Sequence, residues 1–237
     1  MRAGSDARRA DQLRPLEIVV DYLEQPLGSV LYSQGKTRVL CTASLEEGVP
    51  RWLRDSGRGW LTAEYALLPA STGERTQREA SAGKQKGRTV EIQRLIGRAL
   101  RSVADLEALG ERTLWIDCDV LQADGGTRCA AISGAWVAAA RALGRAGLSR
   151  ALRESVAAVS LGIVGGELLL DLDYEEDSGA EVDLNLVMTG SGRLVEVQAT
   201  AERAPFERDG LDSLLELGAR GIAAIREAQE AALDAAA

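Results

Sequence analysis

A turn of small and polar residues at positions 123–128, with the letters ADGGTR, has the composition of an anion-binding site. Its two glycines permit a tight turn and a close approach of the backbone to a ligand. The amides that follow and the Thr127 hydroxyl can donate to phosphate oxygens, and Arg128 supplies a positive charge. A plain glycine turn in which Asp124 caps a helix is a common alternative, and the ending of a Walker loop is absent. Gly126, Thr127 and Arg128 are therefore candidate phosphate ligands.

A second candidate anion site lies at Arg88, directly before a segment whose apolar residues recur at helical spacing. The start of a helix presents free backbone N–H groups and the positive end of the helix dipole, so an adjacent guanidinium completes a phosphate cradle. An arginine at a helix start is more often an ordinary surface residue. The sequence leaves both interpretations open.

Carboxylates are concentrated between Asp171 and Asp183, where seven of thirteen residues are acidic. Clustered carboxylates can hold Mg²⁺, or keep one proton near neutral pH and act as a general acid. Asp183 and Asn185 fall on the same side of a predicted strand, opposite Val182 and Leu184, so we expect Asp183 to face outward rather than into the core. A solvated acidic loop is the commoner explanation for such a segment taken alone.

The segment from Pro69 to Arg88 has almost no large apolar side chain and carries Arg75, Arg78 and two lysines. It cannot bury itself, so we predict a mobile surface loop whose charges suit an RNA backbone. A charged loop without a partner is an equally good explanation of this segment alone. Charge along the chain favours RNA: residues 51–101 hold 11 basic and 5 acidic groups, although the whole protein has a net charge of −8.

The composition excludes several classes of enzyme. The 237 residues include no histidine, which removes Ser-His-Asp and Cys-His catalysis and every histidine-containing metal site. The three cysteines are widely spaced and predict buried apolar positions rather than disulfides or zinc. No apolar run approaches the roughly 18 residues of a membrane span, and the first fifteen residues do not resemble a signal peptide. We therefore expect a cytoplasmic protein.

The elements that must position these residues are mixed in type. Four short strands in a meander are predicted first, at residues 16–23, 29–32, 37–45 and 60–68. A helix from Thr89 to Leu106, closed by Gly110, then precedes a strand at 114–120, the glycine turn and a second helix. After a linker at 144–153 we predict a hairpin across Gly165 and Gly166, two further strands, and a long helix over residues 211–236. The fold class is α/β (α+β), with largely antiparallel sheets packed with helices.

Several segments in this order resemble the ribonuclease PH family, and the resemblance runs essentially from end to end. They are GKTRVLCTASLEEGVP (35–50), GWLTAEYALLP (59–69), GRTVEIQRLIGRALR (87–101), DCDVLQADGGTR (117–128), DLDYEEDSGAEVDLN (171–185) and VEVQATAERAPF (195–206).

The resemblance implies phosphorolysis: inorganic phosphate attacks the last phosphodiester of an RNA, releasing a nucleoside diphosphate and trimming tRNA precursors from the 3′ end. It also implies roles for residues. Arg88 and Gly126-Thr127-Arg128 match the family's phosphate-binding positions. Asp177 and Asp183 match its catalytic carboxylates, to which we assign Mg²⁺ binding and, for Asp183, general-acid catalysis.

Further implications concern RNA and assembly. Arg75 and Arg78 match loop residues that guide tRNA, whereas Ala70 stands where the family often has arginine, so this chain should hold RNA less tightly. Cys129 replaces a usual threonine, and we expect no effect. The family has a fold like domain 2 of ribosomal protein S5 and forms a hexameric ring, a trimer of dimers. For this chain we predict an N-terminal half (1–150) and a C-terminal half (151–237) packed as one unit.

Two other functions compete with this interpretation of the sequence. An inert ring subunit of an exosome-like complex would keep the fold and lose the chemistry, and the presence of Arg88, Arg128, Asp177 and Asp183 speaks against it. A small-molecule kinase with an S5-like fold would need a nucleotide phosphate loop and a base, and the sequence has neither.

Overall fold

The structure, a computed structural model, describes residues 8–236. Residues 1–7 of the predicted N-terminal half and residue 237 of the predicted C-terminal half lie outside this range. The described residues form two β-sheets and five α-helices, which agrees with the predicted mixed class. None of the described helices is long and apolar enough to cross a membrane.

The first sheet has five strands in the order β1-β2-β3-β5-β4. Their bounds are β1 Leu16–Val20, β2 Gly28–Gln34, β3 Thr37–Glu47, β4 Trp60–Leu67 and β5 Arg112–Gln122. Only the first three strands form the predicted meander. The prediction was wrong for β4, which pairs with β5 in parallel and not with β3, because β5 inserts between them. Local alternation predicts a strand but not its pairing partner.

Two helices of the first half present the candidate anion sites. Helix α1 spans Gly87–Ser102 and helix α3 spans Thr127–Arg145, each with an apolar face packed on the first sheet. The predicted helix through Leu106 was wrong in its second part. The chain leaves α1 at Val103 and starts a four-residue helix α2, Leu106–Leu109, because the Asp105 carboxylate accepts from the amides of Glu107 and Ala108.

The second sheet has four strands in the order β7-β6-β8-β9 and is antiparallel throughout. Its strands are β6 Val156–Val164, β7 Glu167–Leu170, β8 Val182–Thr189 and β9 Leu194–Ala201. The predicted hairpin at Gly165 and Gly166 is present, and a short helix α4, Tyr174–Gly179, follows β7. The long final helix α5 spans Arg208–Ala235 and packs on this sheet through Leu214, Leu217 and Ile225.

Helix α3 lies between the two sheets. Its Ala130, Ala138 and Ile132 are fully buried, and the Ser133 hydroxyl bonds to the backbone of Ala158 in β6. The three cysteines are free and buried, as predicted. Because α3 begins at the glycine turn and touches both sheets, the turn lies close to where the two sheets approach each other.

Candidate active site

All eight residues selected from the sequence line one cleft. It has a volume of about 1080 Å³. Among its walls are the predicted phosphate ligands, the predicted RNA-contacting arginines and the two predicted carboxylates: Arg75, Arg78, Arg88, Gly126, Thr127, Arg128, Asp177 and Asp183. They come from the basic loop, the starts of α1 and α3, helix α4 and strand β8, which are distant in sequence.

The glycine turn has the geometry that its sequence indicated. Gly125 and Gly126 have φ of +74° and +63°, a backbone region that favours glycine. Gly126 is the N-cap of α3, so Asp124 does not cap this helix by its side chain. The first amides of α3 are therefore directed toward the cleft with no capping side chain over them.

The start of α1 differs from the prediction in one respect. Helix α1 begins at Gly87, so Arg88 lies inside its first turn rather than before it. The Glu79 carboxylate occupies this helix start: it accepts from the Lys86 amide at 3.1 Å and from the Thr89 hydroxyl at 2.8 Å. The Glu79 carboxylate thus occupies donors at this helix start that we expected an incoming anion to bind. Arg88, the second residue of α1, remains exposed and lines the cleft, so its guanidinium stays available to an anion.

Two polar residues that the sequence did not single out orient the predicted phosphate ligands. Gln198 of β9 accepts from Arg128 Nη1 at 2.6 Å and donates to Glu91 of α1 at 3.3 Å. The buried Tyr65 hydroxyl donates to Thr127 Oγ1 at 3.0 Å. Both contacts join a strand residue to a helix residue that is distant in sequence, so no local sequence pattern predicts them. Neighbouring residues therefore restrict the orientations of the Arg128 and Thr127 side chains.

The acidic segment is divided by the fold and is not one solvated loop. Asp171 pairs with Arg14, and Glu176 pairs with Arg8 at 2.9 Å. Asp173 caps α4, accepting from the Glu176 amide. These three carboxylates are buried and have structural partners, so ion pairs and a helix cap offset the mutual repulsion of the negative charges in this segment.

Asp177 and Asp183 are the carboxylates of this segment that line the cleft. Burial raises the pKa of both. For Asp183, burial and the charge of Asp177 raise the pKa to about 6, against the opposing charges of Arg128 and Arg88. The Asp183 carboxyl can thus keep a proton at a pH where an ordinary aspartate is already ionised.

Asp183 was expected to face outward rather than into the core, and it does line the cleft, although the side of β8 that carries it is partly covered. Asn185, on the same side, is 6% exposed, and its Oδ1 accepts a weak bond from the Cys129 thiol at 3.3 Å. Asp183 is intermediate in exposure and lines the cleft between the sheets. A strand in contact with a second layer has no solvated face, which alternation alone does not reveal.

The basic loop forms the outer wall of the cleft. Arg75 and Arg78 are exposed, and a short 3-10 helix, Glu79–Ala82, follows them. Beneath the loop, Asp117 and Asp119 of β5 line the cleft, and burial raises the pKa of both. The charge of Arg78 acts in the opposite direction on Asp119. The loop therefore carries positive charge over an acidic floor.

Two family models match nearly the whole chain. They describe the 3′ exoribonuclease family, domain 1 over residues 12–143 and domain 2 over residues 154–221. Curated relatives agree: the chain is 55% identical over 234 residues to a protein named ribonuclease PH from Bacillus velezensis, covering 96% of each, and 54% identical over 234 residues to the one from Bacillus subtilis, with the same coverage.

Solved structures share the fold. A structure of Archaeoglobus fulgidus exosome with RNA bound to the active site matches with a TM-score of 0.79 and 23% identity, over 94% of this chain and 91% of that one. Rice (Oryza sativa) Rrp46 matches with a TM-score of 0.77 and 21% identity, over 96% and 98%. Together with the family models and the curated relatives, this shows that the chain belongs to the ribonuclease PH family of 3′ exoribonucleases.

Proposed function

We propose that this chain is a phosphate-dependent 3′-to-5′ exoribonuclease, a tRNA nucleotidyltransferase that trims 3′ extensions of tRNA precursors. The products are nucleoside diphosphates and a shortened RNA, and the transfer is reversible. The observation that carries the proposal is the meeting of two cationic helix starts and two carboxylates in one cleft of a family member. The relatives named ribonuclease PH, at 55% identity over nearly the full length, support it.

We assign phosphate binding to Arg88 and to the turn formed by Gly126, Thr127 and Arg128. Phosphorolysis must bring an inorganic phosphate against an RNA phosphodiester, and two anions repel each other. Arginine charges and oriented amides offset this repulsion in a partly desolvated cleft more effectively than water does. A phosphate oxygen then attacks the terminal phosphorus in line with the leaving 3′-oxygen.

The leaving 3′-oxygen needs a proton or a counter-charge when its bond to phosphorus breaks. Asp183 is suited to supply the proton, because its pKa of about 6 keeps a protonated fraction near neutral pH. Asp177 contributes by its charge, which holds that pKa up. The proton released to the RNA is recovered from solvent before the next cycle.

Mg²⁺ is proposed as the metal, held by Asp177 and Asp183. Within residues 8–236 no group of three or more acidic or sulfur side chains is arranged as a complete metal site. Two adjacent carboxylates in a half-buried cleft still fit Mg²⁺, which takes one or two protein carboxylates and completes its shell with water and substrate phosphate. When bound, the ion would keep both carboxyls ionised, and it would then supply the counter-charge for the leaving oxygen in place of a proton from Asp183.

The RNA partner and the assembly follow from the same family. Arg75 and Arg78 would guide the 3′ end of tRNA precursors and of other RNA with a free 3′ end. We further propose a hexameric ring, a trimer of dimers, in keeping with the exosome cores that share the fold. Exposed apolar side chains on the edge strand β9, Leu194 and Val197, are suited to a subunit contact. Light scattering should then report six copies of the 25.2 kDa chain.

A tRNA with a short 3′ extension tests the proposed reaction. We expect the purified protein to shorten it only when inorganic phosphate is present, and to lengthen it when nucleoside diphosphate is supplied in excess. Equal shortening in phosphate-free buffer would mean hydrolysis and would refute the proposal. No shortening under either condition would favour the alternative of an inert ring subunit.

A further inference from the structure

We propose that the buried ion pair between Arg14 and Asp171 positions the glycine turn for phosphate, an inference that rests on the function proposed above. Neither side chain lines the cleft, so neither is offered as a catalytic residue. The pair acts through the turn. Its loss should weaken the use of phosphate while the chemical step and RNA binding persist.

The pair is fixed at both ends. Arg14 Nη2 lies 2.6 Å from Asp171 Oδ1, the Arg14 amide donates to Asp171 Oδ2 at 2.8 Å, and each side chain is 2% exposed. The other terminal nitrogen of the guanidinium donates to the carbonyl of Asp124 in the turn. One arginine therefore bonds the acidic segment and the glycine turn at the same time, which a rigid five-donor fork can do.

The turn depends on such outside support because its glycines have no side chains of their own. Arg14 Nη2 approaches to 3.1 Å of the position where a Cβ of Gly126 would lie. From another side Thr37 Oγ1 donates to the Gly125 carbonyl at 2.7 Å and accepts from the Asp124 amide at 3.0 Å. Arg14 and Thr37 together fix peptide groups that otherwise have wide conformational freedom.

Asp171 connects the same turn to the carboxylate wall of the cleft. It has a φ of +58°, a strained value for a residue with a side chain, and its amide donates to the Ser160 carbonyl at 2.7 Å. A Cβ at Gly125 would lie 2.5 Å from the Leu172 carbonyl oxygen, so the segment after Asp171 packs directly on the turn. Helix α4, which carries Asp177, follows within three residues. The ion pair and the segment that follows Asp171 therefore hold the glycine turn from the side away from the cleft opening.

Stability alone is a weak explanation for this pair. Burying two charges is costly, and apolar residues of similar size often stabilise a protein as well as a buried ion pair does. A geometric role explains why both partners bond backbone as well as each other.

The chain offers a matched control in Asp21 and Arg141. Asp21 also has a positive φ, +59°, and its carboxylate pairs with Arg141 at 2.7 Å. Arg141 lies on α3, the helix that follows the glycine turn. At a rise of 1.5 Å per residue it is about 21 Å along the helix from Thr127. This second pair resembles the first in residue types and in the φ of its aspartate, but it is less buried, includes Arg145 as a further partner of Asp21, and lies far from the cleft.

Steady-state phosphorolysis of a 3′-extended tRNA at varied phosphate tests the inference with Asp171→Asn and with the double variant Arg14→Met/Asp171→Asn. Asparagine keeps the shape and tolerates the positive φ, and the double variant leaves no charge stranded. We expect both to raise the KM for phosphate by roughly tenfold, with kcat at saturating phosphate and the KM for RNA near wild-type values. The matching variants Asp21→Asn and Arg141→Met/Asp21→Asn should keep the wild-type KM for phosphate.

An unchanged phosphate KM in Asp171→Asn, or a rise equal to that in the control variants, would overturn the inference. If the double variant does not fold, the isosteric single variant still decides. Calorimetric titration with inorganic phosphate alone separates this inference from the proposed function. A wild-type protein that binds phosphate yet hydrolyses RNA would refute the function, while weaker binding by Asp171→Asn would still support the positioning role. A wild-type protein that binds no phosphate would overturn both.

Discussion

Asp183 is subject to opposing influences on its proton affinity. Burial and the neighbouring Asp177 favour the neutral acid, and Arg128 and Arg88 favour the carboxylate. The first two prevail, which places the pKa at about 6 instead of 3.8. A carboxyl in this range can both give up a proton and, once ionised, attract a cation.

The raised pKa predicts a pH-dependent stability difference between the metal-free wild type and Asp183→Asn. Below about pH 3 the carboxyl is protonated in both folded and unfolded chains. As pH rises toward 6 the unfolded chain ionises first, so the wild type loses stability relative to the variant and the difference then levels off. We expect a gain of about 1–2 kcal/mol for the variant at neutral pH, after allowing for partial solvent access.

Urea unfolding in the presence of a chelator at a series of pH values measures this difference. Asp212→Asn, on an exposed position of α5, is the control and should show no such rise. A stability difference for Asp183→Asn that is independent of pH would show that its pKa is not raised.

Substitutions of Arg128 and Asp183 should change different kinetic constants, because the two residues act on different steps. Arg128→Ala removes a phosphate ligand and should chiefly raise the KM for phosphate. Asp183→Ala removes the proton donor and should lower kcat by about 100-fold or more, with a smaller effect on that KM. Arg153→Ala, which breaks a surface ion pair with Asp105, is the control. Identical kinetic changes in the first two variants would contradict these assignments.

At the scale of elements, the glycine turn is held by backbone geometry as much as by side chains. Gly125→Ala should destabilise the protein more than Gly166→Ala, although the two residues have φ of +74° and +77°. Both lose about 1–2 kcal/mol to the unfavourable φ. At Gly125 the new methyl group also meets the Leu172 carbonyl, which adds about 1–3 kcal/mol, whereas Gly166 faces open space. Thermal unfolding of the two variants compares them, and equal losses would mean that the turn is not confined.

The elements that the sequence predicted well carry their signal locally. The alternation from Leu114 to Val120 marks β5, and apolar residues at helical spacing mark α3, because each pattern reflects one buried face. The parallel pairing of β4 with β5 was missed since pairing is decided by the whole sheet. The break after α1 was missed because it has no glycine or proline and depends on the Asp105 cap.

Candidate site residues could be predicted from the sequence where a suitable residue type lies in or beside a recognisable turn, as at Gly126 and Arg128. The residues that support them were not. Arg14 acts on Asp171 across 157 positions, and Gln198 acts on Arg128 across 70. Such contacts arise only when distant parts of the chain pack together, so in the sequence Arg14 looks like an ordinary surface charge. The division into halves at residues 1–150 and 151–237 stays a prediction.

For the molecule as a whole, the segregation of charge reconciles a net charge of −8 with an RNA substrate. The loop with Arg75 and Arg78 is exposed at the cleft, while much of the acidic excess lies in the second half. Each arginine that contacts the RNA backbone should contribute about 0.7 to the salt dependence of binding to single strands.

Arg75→Ala and Arg78→Ala should therefore weaken RNA binding and flatten its dependence on salt, and Ala70→Arg should do the reverse. Fluorescence anisotropy with a 3′-extended tRNA over a range of salt concentrations measures the slopes. The Arg150→Ala variant, outside the cleft, is the control. If both loop variants show the wild-type dependence of RNA binding on salt, the basic loop does not contact the RNA.

The fate of the phosphate tests the central claim most directly. Incubation of a 3′-extended tRNA with ¹⁸O-labelled inorganic phosphate, followed by mass spectrometry, identifies the attacking group. If the cleft uses phosphate as the nucleophile, the released nucleotides are diphosphates with the label in the β-phosphoryl group. Unlabelled nucleoside monophosphates, with the label left in inorganic phosphate, would show that water is the nucleophile and would contradict the account.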